Sequence, residues 1–214
     1  MERSHDHHSH AGGVHRIELV VYPGFKALEA IGPMSVFDYA NVHLRARGQS
    51  DGYQVRVAAV QAGLVRSDTL MALEATQSLA QLEDGGLGCT VVIVGSRNIE
   101  TVLDVSSDLV TWVQRVAPRV QRLIALCSGS FFLAQAGLLD GRRAATHWSV
   151  AGLLAQRYPR VQVDADAIYV HDEVKDGDGV RQLWTSAGVT AGIDLALAVV
   201  EQDFGHALAL EVAR

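Results

Sequence analysis

At 214 residues the chain has the length of one ordinary domain, and its 49% apolar and 20% charged residues are the balance of a globular protein with a full core. Its formal net charge is −6 and no basic stripe runs along it, which speaks against nucleic acid or an acidic membrane as a partner. No apolar run reaches the ~18 residues of a membrane span, and the N-terminus lacks the apolar core of a signal peptide. The two cysteines, Cys89 and Cys127, have no metal-type spacing and fit a reduced cytoplasm.

Residues 1–14, MERSHDHHSHAGGV, carry His5, His7, His8 and His10. Clustered imidazoles bind Ni, Cu or Zn; a disordered leader or a tag is the plainer reading, and it leaves 15–214 as the domain. Arg16 to Tyr22, RIELVVY, reads as a strand closed by Pro23-Gly24. The segment that follows has apolar residues at Leu28, Ile31, Met34, Val36 and Phe37, which predicts helix on both sides of Gly32-Pro33. The residue before a proline disfavours the α region, so a break or kink is expected there. Glu29 stands just before it, close to the carboxyl end of the first strand.

Tyr53 to Val60 alternates as a strand, and Gly63 to Ala75 reads as a hairpin. A turn or two of helix follows over Thr76 to Leu82, then a loop, EDGGLG. Cys89 to Val94, CTVVIV, is a buried strand ending at Gly95-Ser96, with Cys89 as core. Asp104 to Val116 predicts a helix with Val105, Leu109, Trp112, Val113 and Val116 on one face, stopped by Pro118.

Leu123 to Leu126 is a buried strand and Phe131 to Leu139 a helix, with Cys127, Ser128 and Gly129 between them. A strand that turns into a helix at a Cys or Ser is a nucleophile elbow, which lifts the side chain above the sheet edge. The helix start favours thiolate, so the pKa of Cys127 is expected below its free value. The plain alternative is a small apolar filler at a strand end. Gly129 lets backbone approach closely.

Thr146 is placed to cap a helix over 146–158, and Val161 to Asp172 and Val180 to Thr185 read as strands around KDGDG. Ser186 to Arg214 is helical with a joint at Gly205. Strands alternating with helices predict a mostly parallel α/β sheet with helices on both faces. Ligands of such sheets sit at the strand carboxyl ends, where Glu29, Gly95-Ser96 and Cys127 fall.

Three segments, ALEAIGP (27–33), ALCSGSFFLAQAGLLDGRRAATHW (125–148) and TSAGVTAGIDLAL (185–197), resemble the ThiJ/PfpI family of the class I glutamine-amidotransferase-like superfamily. Two branches are similar: the isocyanide hydratases, and the sensor domain that precedes the DNA-binding module in a class of AraC-type regulators. The resemblance implies a flavodoxin-like three-layer sandwich, usually dimeric, with no cofactor and no metal. It implies Cys127 at the elbow, Glu29 as its acidic partner, and the Ser128 N–H as half of an oxyanion hole. Gly95, Ser96, Gly129 and His147 would line the pocket.

Three departures from the family pattern matter. Ser128 replaces the His that follows the Cys in peptidase-like members, which argues against protease activity. Val94-Gly95-Ser96 replaces Pro-Gly-Gly, which puts the second oxyanion donor in question. No two-helix-turn-helix module follows within these residues. His147 is read as structural or pocket-lining, Asp194 as a hydrogen-bonded structural carboxylate, and Trp148 and Trp184 as core or crevice wall. Two function classes remain: a small-molecule sensing domain of an AraC-type regulator, or a cysteine-dependent hydratase or amidase. The partner in either case is a small-molecule effector or substrate.

Overall fold

The computed structural model describes residues 13–88, 90–176 and 179–214. The histidine-rich leader up to residue 12 and Cys89 lie outside them. The elements run β1 (His15–Val20), α1 (Ala27–Ala46), β2 (Tyr53–Ala59), β3 (Gly63–Arg66), β4 (Ala72–Ala75), β5 (Gln77–Ser78), α2 (Leu79–Asp84), β6 (Thr90–Ile93), α3 (Ile99–Val105) and α4 (Ser107–Val116). They continue β7 (Arg122–Ala125), α5 (Ser130–Gln135), β8 (Arg143–Ala144), α6 (Trp148–Arg157), β9 (Gln162–Val163), β10 (Tyr169–Asp176), β11 (Gly179–Ser186), α7 (Ala191–Phe204) and α8 (His206–Val212).

Among the described residues the main sheet has seven strands in the order β10-β11-β7-β6-β1-β2-β5. All neighbours are parallel except the β10/β11 hairpin. Every residue of β6 and β7 is buried, which is why these short strands read as unbroken apolar runs. Parallel pairing brings the segments after β1, β6, β7 and β11 to one edge of the sheet. Those segments hold Lys26 and Glu29, Gly95 and Ser96, Cys127, and Ser186 to Gly188.

Pro33 does not break α1, which runs unbroken through it. A residue before proline is restricted partly by the clash of its Cβ with the proline ring, and Gly32 has none. Gly32 also lets α1 approach α7: a Cβ there would lie 2.8 Å from Ile193 Cγ1. This packing supports the helix through the missing hydrogen bond.

The helix expected over 104–116 is two pieces, α3 and α4, that meet at Ser106. Leu109, Trp112, Val113 and Val116 are buried as expected, whereas Val105, at the end of α3, is 79% exposed. At the far end of the sheet Arg122 Nη2 donates to Asp203 Oδ1 at 2.6 Å and Tyr53 Oη donates to Asp203 Oδ2 at 2.9 Å. This buried pair fixes the end of α7 beneath the starts of β7 and β2. The joint expected at Gly205 is present, with φ +88° between α7 and α8.

Candidate functional site

β7 ends at Ala125, and Leu126 is still extended with φ −95° and ψ 133°. Cys127 then takes φ +54°, the one positive φ of a non-glycine among the described residues. A 3-10 turn over Cys127–Gly129 leads into α5. Left-handed backbone costs an L-residue roughly 1–2 kcal/mol, and here several bonds hold it. Thr146 Oγ1 donates to the Cys127 carbonyl at 3.0 Å and Ser130 Oγ to the same oxygen at 3.1 Å. The Cys127 N–H donates to Ser186 Oγ at 3.4 Å. Gly129 is required by contact, since a Cβ there would lie 2.6 Å from the Ile93 carbonyl oxygen.

The thiol of Cys127 is fully buried. Lys26, the residue that begins α1, donates from Nζ to Cys127 Sγ at 3.0 Å. One helical turn on, Glu29 is 1% exposed and its Oε1 stands 3.5 Å from Lys26 Nζ. Glu29 Oε2 accepts the Gly95 N–H at 2.7 Å, and the Lys26 N–H donates to the Gly95 carbonyl at 2.9 Å. Glu29 Oε1 has no hydrogen-bond partner among the described residues. Tyr22, also buried, donates from Oη to the Val94 carbonyl at 2.7 Å beneath the site.

The expectation of a lowered thiol pKa is overturned. Burial, and then the nearby Glu29 carboxylate, push the Cys127 thiol up to about 12, against the opposing pull of Lys26. The turn that follows Cys127 is too short to supply a compensating dipole, because α5 begins only at Ser130. Burial raises Glu29 as well, with Lys26 opposing. Lys26 is held above its ordinary value by the thiol and Glu29, which outweigh its desolvation.

At the corner expected to supply the second oxyanion donor, the N–H groups of Gly95 and Ser96 are engaged within the protein. Ser96 N–H donates to Ser128 Oγ at 2.9 Å, and Ser128 Oγ donates back to the Ser96 carbonyl at 2.8 Å. The Ser128 hydroxyl therefore ties the elbow to the end of β6. Gly95 N–H belongs to Glu29. A Cβ on Gly95 would lie 2.7 Å from Ser128 Oγ and 2.8 Å from Glu29 Oε2, so glycine is what allows the three segments to meet.

His147, not Thr146, caps α6: its Nδ1 accepts the Ser149 N–H at 3.3 Å. Thr146 is fully buried and holds the elbow carbonyl instead. Burial, and then the charge of Lys26, lower the proton affinity of His147. Its ring lies against Gly188, where a Cβ would come within 2.5 Å of His147 Cδ2. Trp148 is 75% exposed, contrary to its expected place in the core or crevice wall, because it begins α6 on the outer side of that cap. Trp184 is 4% exposed, stacked on His171 at 4.1 Å. Asp194, in the first turn of α7, is exposed rather than held in a structural hydrogen bond near the core.

Sequence reading thus nominated Cys127, Glu29, Gly95, Ser96 and Ser128, which the fold brings into contact, and missed Lys26. Its one signal was position: the loop after the first strand, three residues ahead of Glu29. Among the described residues no cluster of His, Cys, Asp and Glu is arranged to hold a metal. None of the described helices is long and apolar enough to cross a membrane.

A mostly parallel α/β sheet with a left-handed cysteine above its carboxyl edge defines a flavodoxin-like protein of the cysteine-elbow class. The chain belongs to the DJ-1/PfpI family, whose pattern it matches over residues 15–202. It is similar to the HTH-type transcriptional regulator CdhR of Pseudomonas aeruginosa, 31% identical over 194 residues that cover 91% of this chain and 52% of that protein. It is also similar to the isonitrile hydratase of Pseudomonas putida, 27% identical over 191 residues, 89% of this chain and 72% of that one. A solved AraC family transcriptional regulator from Pseudomonas putida superposes with a TM-score of 0.71 at 24% identity, covering 93% of this chain and 97% of that one. The chain spans about half the length of CdhR.

Proposed function

We propose that this domain is the small-molecule sensing module of an AraC-type transcriptional regulator, acting in the cytoplasm as a homodimer. The observation that carries the reading is the state of the elbow. Cys127 is a protonated, fully buried thiol, and the backbone donors of Gly95 and Ser96 are already bonded to Glu29 and Ser128. Nucleophilic catalysis needs a thiolate and free donors aimed at the developing charge. Binding needs neither. A cavity of about 520 Å³ opens beside Tyr22 and Pro23, lined by the end of β2, the β2–β3 connection and β3, within the usual size range of ligand pockets. Leu28, Tyr39 and Val42 leave exposed apolar surface on α1 that a second copy would cover.

The similarity to the isonitrile hydratase supports a second reading, in which Cys127 turns substrate over. The sulfur would attack the terminal isocyanide carbon, which takes a proton from Glu29. Water would then add to the thioimidate carbon, and an N-substituted formamide would leave as the thiol is restored. A missing oxyanion donor alone costs on the order of a hundredfold or more in rate. The test is isocyanide hydration measured beside Cys127→Ala. The sensing reading expects no turnover above that variant; robust turnover lost in Cys127→Ala would make the domain an enzyme.

A further inference from the structure

The cavity beside Tyr22 and Pro23 has an apolar wall and one cation. Val60 and Leu64 both line it and are large apolar residues left 41% and 72% exposed. Arg66 lines it from β3. Side chains alternate along a strand; Val65 is buried, so Leu64 and Arg66 share the opposite face. Most arginines of this acidic chain face a carboxylate, as Arg56 faces Glu18, Arg97 faces Asp68 and Arg122 faces Asp203. The Arg66 side chain is exposed and has no hydrogen bond or ion pair among the described residues. Glu74, across the β3–β4 ladder, stands opposite Leu64 rather than Arg66 and forms no ion pair with it. No described acidic residue lines the cavity. Its other polar side chains are Gln61 and Tyr22, and the Tyr22 hydroxyl is already given to the Val94 carbonyl.

We infer that this cavity takes a small monocarboxylate with an apolar body, its carboxylate paired with the Arg66 guanidinium and its body laid against Val60 and Leu64. This rests on the sensing reading and names its ligand class. A guanidinium presents a planar fork of donors that matches a carboxylate. One cation balances one negative charge, so a phosphate dianion would be left short of partners in an otherwise apolar cavity. The wall gives a hydrocarbon body area to bury. A neutral amide lacks the charge, and an ammonium would meet Arg66. The same strand is tied to the start of α1. Gly24 N–H donates to the Arg66 carbonyl at 2.9 Å, Asp68 N–H to the Phe25 carbonyl at 2.8 Å, and Ala27 N–H to Asp68 Oδ1 at 3.1 Å. A ligand held by Arg66 therefore sits one loop away from Lys26 and Cys127.

The probes are hexanoate, octanoate and phenylacetate, each beside its own amide, which keeps the body and removes the charge, with inorganic phosphate as the anion that has no body. Titrations of the full chain are followed by backbone amide chemical shifts in two-dimensional NMR spectra, which report both Kd and place. We expect at least one acid to bind on the order of tenfold tighter than its amide, with the shifts centred on residues 59–66, and phosphate to bind more weakly than that acid. Arg66→Lys should keep part of the preference, and Arg66→Gln should bring the acid-to-amide ratio to about one. Acids that bind no tighter than their amides overturn the proposal, and so does a ratio unmoved in folded Arg66→Gln. Phosphate binding as tightly as the acids overturns the apolar body. Shifts that fall elsewhere, or no saturable binding of any acid by about 10 mM, overturn it as well; a second copy of the chain closing the cavity would give the latter result. If the variants do not fold, the native ratio and the place of the shifts decide. Turnover plays no part in the readout, so failure here is distinct from failure of the sensing reading.

Discussion

Replacing Gly95 with Ala probes the junction on which the site depends. An added Cβ would sit 2.7 Å from Ser128 Oγ, 2.8 Å from Glu29 Oε2 and 2.9 Å from the Ser128 backbone nitrogen. One of those neighbours is main chain, and the others are fixed by bonds to Ser96 and to residue 95 itself, so none can withdraw freely. Overpacking of this kind costs about 1–3 kcal/mol, and weakening the charged hydrogen bond from Gly95 N–H to Glu29 adds to it, such bonds contributing about 1.5–3 kcal/mol when intact. A loss of about 2–4 kcal/mol corresponds to a drop in Tm of roughly 5–15 °C for a domain of this size. Gly152 is the control. It lies in α6 with nothing within 4 Å of a Cβ, so Gly152→Ala should be neutral or raise stability by up to about 1 kcal/mol through helix propensity. Calorimetry of both variants checks the pair. A Gly95→Ala protein that melts within about 2 °C of the native chain would refute the close meeting of β6, the elbow and Glu29.

Glu29→Gln should change how stability depends on pH. Burial raises the folded-state pKa of Glu29 above its unfolded value, with Lys26 opposing, so the folded form holds the proton more tightly. Its contribution is therefore full at acid pH and is lost as pH rises through the raised value. Melting curves should show the variant close to the native protein near pH 4 and gaining on it at pH 8; a constant gap would contradict the assignment. Asp203→Ala leaves Arg122 buried without its carboxylate, and breaking such a pair costs about 3–5 kcal/mol. Urea denaturation should show this, and a change under about 0.5 kcal/mol, the range of ordinary surface substitutions, would contradict the structural role given to that pair.

The fold was legible because apolar runs bounded by Gly and Pro alternate with helical patterns, and the elbow because Cys127-Ser128-Gly129 stands between a strand and a helix. Glu29 and Gly95 could be placed since both follow strands whose carboxyl ends a parallel sheet brings together. Lys26 could not: it is one polar residue in a loop, and its partner Cys127 is 101 positions away. The thiol pKa was misread for a related reason. The helix-start argument uses local sequence, whereas burial and the Glu29 charge come from tertiary packing. Pro33 shows the same limit, since its tolerance depends on the contact of Gly32 with Ile193 on α7. At residues 146–147 the cap was off by one position because Thr146 is drawn inward to the Cys127 carbonyl, which leaves His147 to bond the first turn of α6.

The central claim is that Cys127 is a protonated thiol rather than a standing thiolate, and the pH profile of its alkylation by iodoacetamide tests this most directly. With the thiol pushed up to about 12, the rate at Cys127 should rise close to tenfold per pH unit from pH 7 to pH 10 without levelling. A rate that is already at its plateau by pH 7 would mean a standing thiolate at the elbow, and would contradict the account.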